Sequence, residues 1–343
     1  MMNRALARKR SPSLITGSSM TPSDQRTRKE KSAPYRHARC ELQLIECGIF
    51  MSRYKDGITN DSKNLCRELI ETPRTHPEGT LWADDLFEGT FEMIRNRNEA
   101  RVIRDIAQLL VPSAEVLAHR GAKNLSILIE TVNEGWNNCV PLLGTRPQPD
   151  YGLGFRRRSF SKNQLQKLKP YIGEQGDLSL FAATHEMYLP FLTSEVKCGA
   201  SELDIADRQN AHNMGVALIG LVELFRLVGR EKELHCQVNG FSISHNDETA
   251  RIYGYYPVIN GTEVEIYRET IRRLNFQNRA EKWVVPSFIM NVYHMWSEPH
   301  FKRVCSVIDE LPSRVGDFQN LAAAETGVSQ QFSVDSKSNT SDN

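Results

Sequence analysis

The stretch "MYLPFLTSEVKCGA", Met187 to Ala200, decides how the chain is read. An apolar run from Tyr188 to Leu192 leads into an acid, a valine and a lysine before Gly199. In an extended strand, residues i and i+2 share a face. Glu195 and Lys197 therefore point one way, and Val196 and Cys198 the other. Opposite charges at a strand end can simply pair, and a surface pair of that kind contributes little. The triplet acid-any-lysine also occurs at Asp61–Lys63 and Asp335–Lys337, in polar stretches without strand character.

The surroundings give the triplet its weight. Pro149–Asp150 lies upstream, where turn-rich "GTRPQPDYGLGF" leads into a short strand. Downstream, "SELDIADRQNAHN" opens the most apolar helical run of the chain, capped by Ser201 with Asp204 and closed by Gly229. "SKNQLQKLKPYIG" has a capping-box pattern, Ser161 with Gln164. "LFAATHEMYLPFLTSEVKC" is one long strand or two. "VNGFSISHNDETARIYGYYPVI" is strand, polar turn, strand, and "TEVEIYRETIRRLNF" a further strand region. A last helix is expected from Pro286 to Leu311. Upstream, the spacing predicts helices in 40–52, in 81–111 up to Pro112, and in "NLSILIETVNEGWNNCVPLL", where Leu128, Val132 and Trp136 share a stripe.

The fold class expected is mixed α/β: a central mixed sheet flanked by helices, with a helical N-terminal extension. The boundaries are a disordered basic tail at 1–37, a helical region at 38–125, the main domain at 126–315 and a polar tail at 316–343. Of 343 residues, 40% are hydrophobic and 25% charged, ordinary for a globular chain. Net charge is +1, but residues 1–31 carry +6 and the remainder −5. The folded part therefore offers no bulk electrostatic case for nucleic acid, and only local patches count. No apolar run approaches the roughly 20 residues a bilayer span requires. Seven scattered cysteines, without a zinc spacing, point to reduced thiols and an intracellular place, nuclear or cytoplasmic. "ARKRSP" has the look of a weak nuclear signal and the acid-free, Arg- and Ser-bearing start equally that of a mitochondrial transit peptide, but a bare solvated tail accounts for the segment better than either. Phosphate-binding loops, dinucleotide fingerprints, kinase loops and nucleophile elbows are missing from the sequence.

Proline-aspartate, a spacer, then acid-any-lysine at a strand end resembles the PD-(D/E)XK (restriction-endonuclease-like) nuclease superfamily, whose core is helix, three-strand meander, helix, strand. From "RNEARVIRDIAQLLVPSAE" to "HFKRVCSVIDELP", about residues 95–312, the chain also resembles a family of uncharacterised fungal proteins. "PQPDYGLGFRR", "LPFLTSEVKCGA", "LDIADRQNAHNM" and "SISHNDETARIYGYYPVI" carry that likeness. The nuclease resemblance implies a Mg²⁺- or Mn²⁺-dependent hydrolase acting on nucleic acid, with DNA as the expected partner.

Its chemistry can be stated from the residues. Phosphodiester cleavage needs an activated water and neutralisation of charge on the phosphate, and Mg²⁺ suits both, held by one or two carboxylates. Asp150 and Glu195 would supply these, with the Val196 carbonyl as a further oxygen. Lys197 would steady the attacking water. Glu130, taken to lie on the helix upstream, is a further acidic ligand candidate because the resemblance implies one there, as in some members of the superfamily, with Glu134 its competitor and a solvated helix acid the plainer account. Arg208 and Gln209 are supporting candidates, as basic and glutamine residues hold that helix position in several nuclease families; an exposed helix face is an equal account. Arg156, Arg157, Arg158, Lys162, Lys167 and Lys169 run without an acid among them and would meet phosphates. A solvated surface explains that run equally well. The alternative to an enzyme is a non-catalytic nucleic-acid- or protein-binding module on the same fold, with the acids and lysine as a structural ion cluster.

Overall fold

Six strands form one sheet in sequence order: β1 (Leu128–Val132), β2 (Tyr151–Arg156), β3 (Met187–Val196), β4 (Gly240–His245), β5 (Thr249–Asn260) and β6 (Glu263–Asn275). They are seen in a computed structural model that describes residues 5–9, 28–174, 176–198 and 202–312. β1, β2 and β3 make an antiparallel meander, β4 runs parallel to β3, and β5 and β6 continue antiparallel. The architecture is thus mixed α/β, with a mixed sheet flanked by helices. The expected cap at Ser201, the stop at Gly199, most of the basic segment and the tail 316–343 lie outside the described residues.

The long apolar run becomes one strand. All ten residues of β3 are buried, which suits an unalternating apolar sequence in the middle of a sheet. Pro190 cannot donate to the ladder and Leu189 sits at φ +47°, so the β2–β3 register shifts between Leu153 and Phe155. Residues 180–186, read with β3 as strand, make bends and an isolated bridge at Ala182 instead.

The helices, in chain order, are α1 (Arg28–Arg36), α2 (Arg39–Glu46), α3 (Asn60–Glu71), α4 (Phe87–Ile94), α5 (Glu99–Val102), α6 (Gln108–Leu110), α7 (Ala114–His119), α8 (Lys162–Ile172), α9 (Leu203–Arg226), α10 (Val284–Asn291) and α11 (Ser297–Glu310). The 24-residue α9 crosses from β3 to β4 and packs on one face of the sheet. On the other face Phe241 meets Phe288 of α10 and Trp296 just before α11, so α10 and the start of α11 cover that side. The capping box at Ser161 and Gln164 forms as expected.

Three expectations are corrected. No α-helix forms over 124–143: a short 3-10 turn at Lys123–Ile127 leads into β1 at Leu128–Val132, because β-branched Ile129, Thr131 and Val132 gain more by pairing with β2 than from helical spacing. Trp136 is fully buried, but in the turn after β1. The helical pattern over 81–111 is broken between α4 and α5, where Asn96 takes φ +60° and the Asn98 side chain caps the Arg101 N–H. Part of the basic tail folds: α1 lies within 1–37 and packs on α9, with Tyr35 buried. Within 38–125, Leu69, Trp82, Phe87 and Ile106 share one core with the sheet.

Candidate cation site at the head of β3

The meander brings two distant acids to one place. Tyr151 pairs with Ser194, so Asp150, one residue before β2, comes level with Glu195. The Val196 N–H donates to Asp150 Oδ2 at 2.9 Å, fixing the first carboxylate against the backbone of β3. Asn213 of α9 donates from Nδ2 to Glu195 Oε1 at 3.1 Å, fixing the second.

Between the remaining oxygens lies an ammonium that the sequence reading did not include. Lys31 Nζ, from α1, donates to Asp150 Oδ1 at 2.9 Å, Glu195 Oε2 at 3.1 Å and the Gln148 carbonyl at 2.9 Å. These three acceptors use all three of its protons. Asp150, Glu195 and Lys31 are no more than 5% exposed. Burial works against the charge on Lys31, but the two carboxylates outweigh it and raise its pKa above the usual lysine value. Burial pushes the Glu195 carboxyl up; Lys31 opposes this and Asp150 adds to it.

Lys197, also buried, donates from Nζ to the Val196 carbonyl at 2.9 Å and stands 3.6 Å from Glu99 of α5. The Val196 carbonyl named as a candidate ligand is thus engaged by the candidate catalytic lysine. His245, whose carbonyl accepts from the Lys197 N–H, is fully buried, and burial lowers its pKa to about 4.

The other predicted residues lie elsewhere. Glu130 is on β1, not on a helix, and its carboxylate accepts from Ser113 Oγ at 2.6 Å, the Ala114 N–H at 3.1 Å and Tyr151 OH at 3.0 Å. It caps the start of α7 rather than joining Asp150 and Glu195. Its competitor Glu134, also upstream, has its pKa raised by burial. Arg208 donates to the Tyr35 carbonyl at 3.2 Å, tying α9 to α1. Gln209 is buried, with no hydrogen-bond partner at Oε1. The basic run begins at the far end of β2: Arg156 is six residues from Asp150, about 20 Å along the strand. Arg156 pairs with Glu115, Lys167 donates to the Asp309 carbonyl, and Lys169 pairs with Glu174 at 3.0 Å. Arg157, Arg158, Lys162 and Lys169 are exposed.

Two residues beyond the sequence reading shape the site: Lys31 and Asn213. A signal for Asn213 existed. The polar first half of α9 is not a solvated face, since Asp207, Gln209, Asn210, His212 and Asn213 are all buried. Asn210 bonds Thr193, Ser244 and the Ile243 carbonyl, one turn before Asn213 meets Glu195. Polar residues of a helix facing the Ser/Thr positions of β3 and β4 were visible in the sequence. Lys31 carried no such signal.

Among the described residues, no group of three or more His, Cys, Asp or Glu side chains gathers around a common point. The acidic donors here are two carboxylates. No described helix is long and apolar enough to cross a membrane.

Residues 86–308 match the family model Domain of unknown function (DUF7924). The chain belongs to this family. The matched segment runs from just before α4 into α11 and includes Asp150, Glu195, Lys197 and Asn213 but not Lys31. No curated protein and no solved structure matches the chain.

Proposed function

We propose that this DUF7924 chain is a metal-dependent nuclease-like domain that hydrolyses phosphodiester bonds in DNA, on a restriction-endonuclease-like core. One observation carries the reading: carboxylates at the adjoining ends of β2 and β3, 45 residues apart in sequence, converge on a single cation, which here is the Lys31 ammonium. The order of elements supports it, with a helical segment, the three-strand meander β1–β3, α9, and β4 parallel to β3.

The residues fit Mg²⁺ or Mn²⁺ by chemistry. Asp150, Glu195 and the Val196 carbonyl are hard oxygen donors, and Mg²⁺ keeps waters and phosphate oxygens in its remaining positions. When bound, the ion supplies charge neutralisation at the phosphate and lowers the pKa of a water. Asn213 and the Val196 N–H hold the two carboxylates in place. Lys197, released from the Val196 carbonyl, would put its ammonium beside the attacking water or the developing negative charge. Exposed Arg157, Arg158, Lys162 and Lys169 offer phosphate contacts without sequence readout.

A second reading has its own observation. The two acids are already bridged and enclosed by Lys31, as in a structural ion cluster on a non-catalytic binding module. Cleavage assays on single- and double-stranded DNA with Mg²⁺ and Mn²⁺ separate the two. On the enzyme reading, Lys197→Ala loses cleavage while Mn²⁺ binding persists, and Asp150→Ala loses both. Absence of cleavage by purified protein under every combination of strand and metal favours the binding module.

A further inference from the structure

We propose that Lys31 is a tethered counter-cation that occupies the metal position, and that α1 is a latch that must lift before a divalent ion enters. The inference rests on reading Asp150 and Glu195 as a cation site, and adds how that site is regulated. Three observations carry it.

The first is the place of the ammonium. It shares its protons among a carbonyl and one oxygen from each carboxylate, 117 to 164 residues away in sequence, all at 2.9–3.1 Å. These are oxygens a divalent ion would take, so the two cannot be bound together. An affinity measured against such a competitor is reduced by the fraction of molecules in which the site is open.

The second is the way α1 is held. Lys31, Ser32 and Tyr35 are buried, while Ala33, Pro34 and Arg36 are exposed. The helix is nine residues long, too short to persist alone, and Pro34 removes one of its backbone donors. Two of its buried side chains anchor it. One is Lys31; the other is Tyr35, whose hydroxyl lies 2.8 Å from His212 Nδ1 and whose carbonyl accepts from Arg208. Arg36 adds only an exposed pair with Glu202 at 3.4 Å.

The third is the contrast with Lys197. That lysine belongs to the chain just after β3 and bonds the Val196 carbonyl, so it stays beside the site whether or not α1 is in place. Lys31 is the cation that can leave. Its departure uncovers two carboxylates that are already oriented by Asn213 and the Val196 N–H.

The test uses the full chain and Mn²⁺ alone, followed by electron paramagnetic resonance. Lys31→Ala should bind Mn²⁺ about tenfold or more tighter than wild type, since the competing ammonium is gone. The gain should vanish in Lys31→Ala/Glu195→Gln. Equal affinities for wild type and Lys31→Ala, both lost on Glu195→Gln, leave the cation site standing and overturn the latch. No Mn²⁺ binding by either protein overturns the cation site and the latch with it. A second measurement covers a Lys31→Ala chain that fails to fold: amine labelling of wild type, read by mass spectrometry along a Mn²⁺ titration. Lys31 should pass from protected to labelled as Mn²⁺ rises. Lys31 protected at every Mn²⁺ concentration overturns the proposal.

Discussion

Helix α9 lays two buried ion clusters against the same face of the sheet, and they are built differently. At one, Asp207 accepts from Arg251 at 2.7 Å and from Tyr253 OH at 2.9 Å, with Arg268 stacked 4.1 Å from the Tyr253 ring centroid. Every member sits on α9, β5 or β6, so the cluster is made when those elements dock. Its cations are guanidiniums, whose planar forks bind and stack in fixed geometry. At the other, six residues along α9, Asn213 holds Glu195, and the cation is a lysine from a short helix outside the matched family segment. An ammonium is a compact point charge with no fork to satisfy, closer in kind to a metal ion. On this contrast the arginine cluster is glue, whereas the lysine cluster is a slot with a removable occupant.

The largest expected effect tests that contrast directly. Lys31→Met leaves two carboxylates buried without their cation and should cost about 3–5 kcal/mol of stability in metal-free buffer. Denaturant midpoints measure it, and Mn²⁺ should return part of the loss. The same residue sets an alkaline limb. Its folded pKa is raised above the usual 10.5, so its contribution is full below that value and is lost as pH climbs through the raised one. The gap between wild type and Lys31→Met should therefore narrow above pH 10.5, while Arg251, charged throughout, gives no matching alkaline limb.

Next in size is Asn213→Leu. It removes a hydrogen bond to a buried carboxylate and should cost about 1.5–3 kcal/mol. In thermal melts that loss should shrink when Glu195→Gln is already present, because the two share one interaction.

Arg251→Met should be the mildest, about 1 kcal/mol, since the guanidinium is partly exposed and Asp207 keeps Tyr253. Mn²⁺ should not alter its midpoint. A Mn²⁺-dependent rescue there, or none at Lys31, breaks the distinction between glue and slot.

Much of the fold was legible. The apolar run of β3, the turn chemistry at Asn246–Glu248, the capping box at Ser161 and the long helix all followed from local pattern, and all appear. β1 was not legible, since Leu128, Val132 and Trp136 fit a helical stripe, and only the partner strand decides for the β form. The site was half legible. Asp150, Glu195 and Lys197 carry a motif, whereas Glu130 merely resembled a fourth member and caps α7 instead.

Local pattern suffices for the elements whose cause is local: periodicity, caps, turns, and a charged triplet at the end of a strand too apolar to carry charge without cause. Only the tertiary structure decided which cation stands between the acids. That choice depends on contacts spanning more than a hundred residues, and no local spacing encodes them. Burial then sets their strength, because charges taken out of water must find each other or a metal.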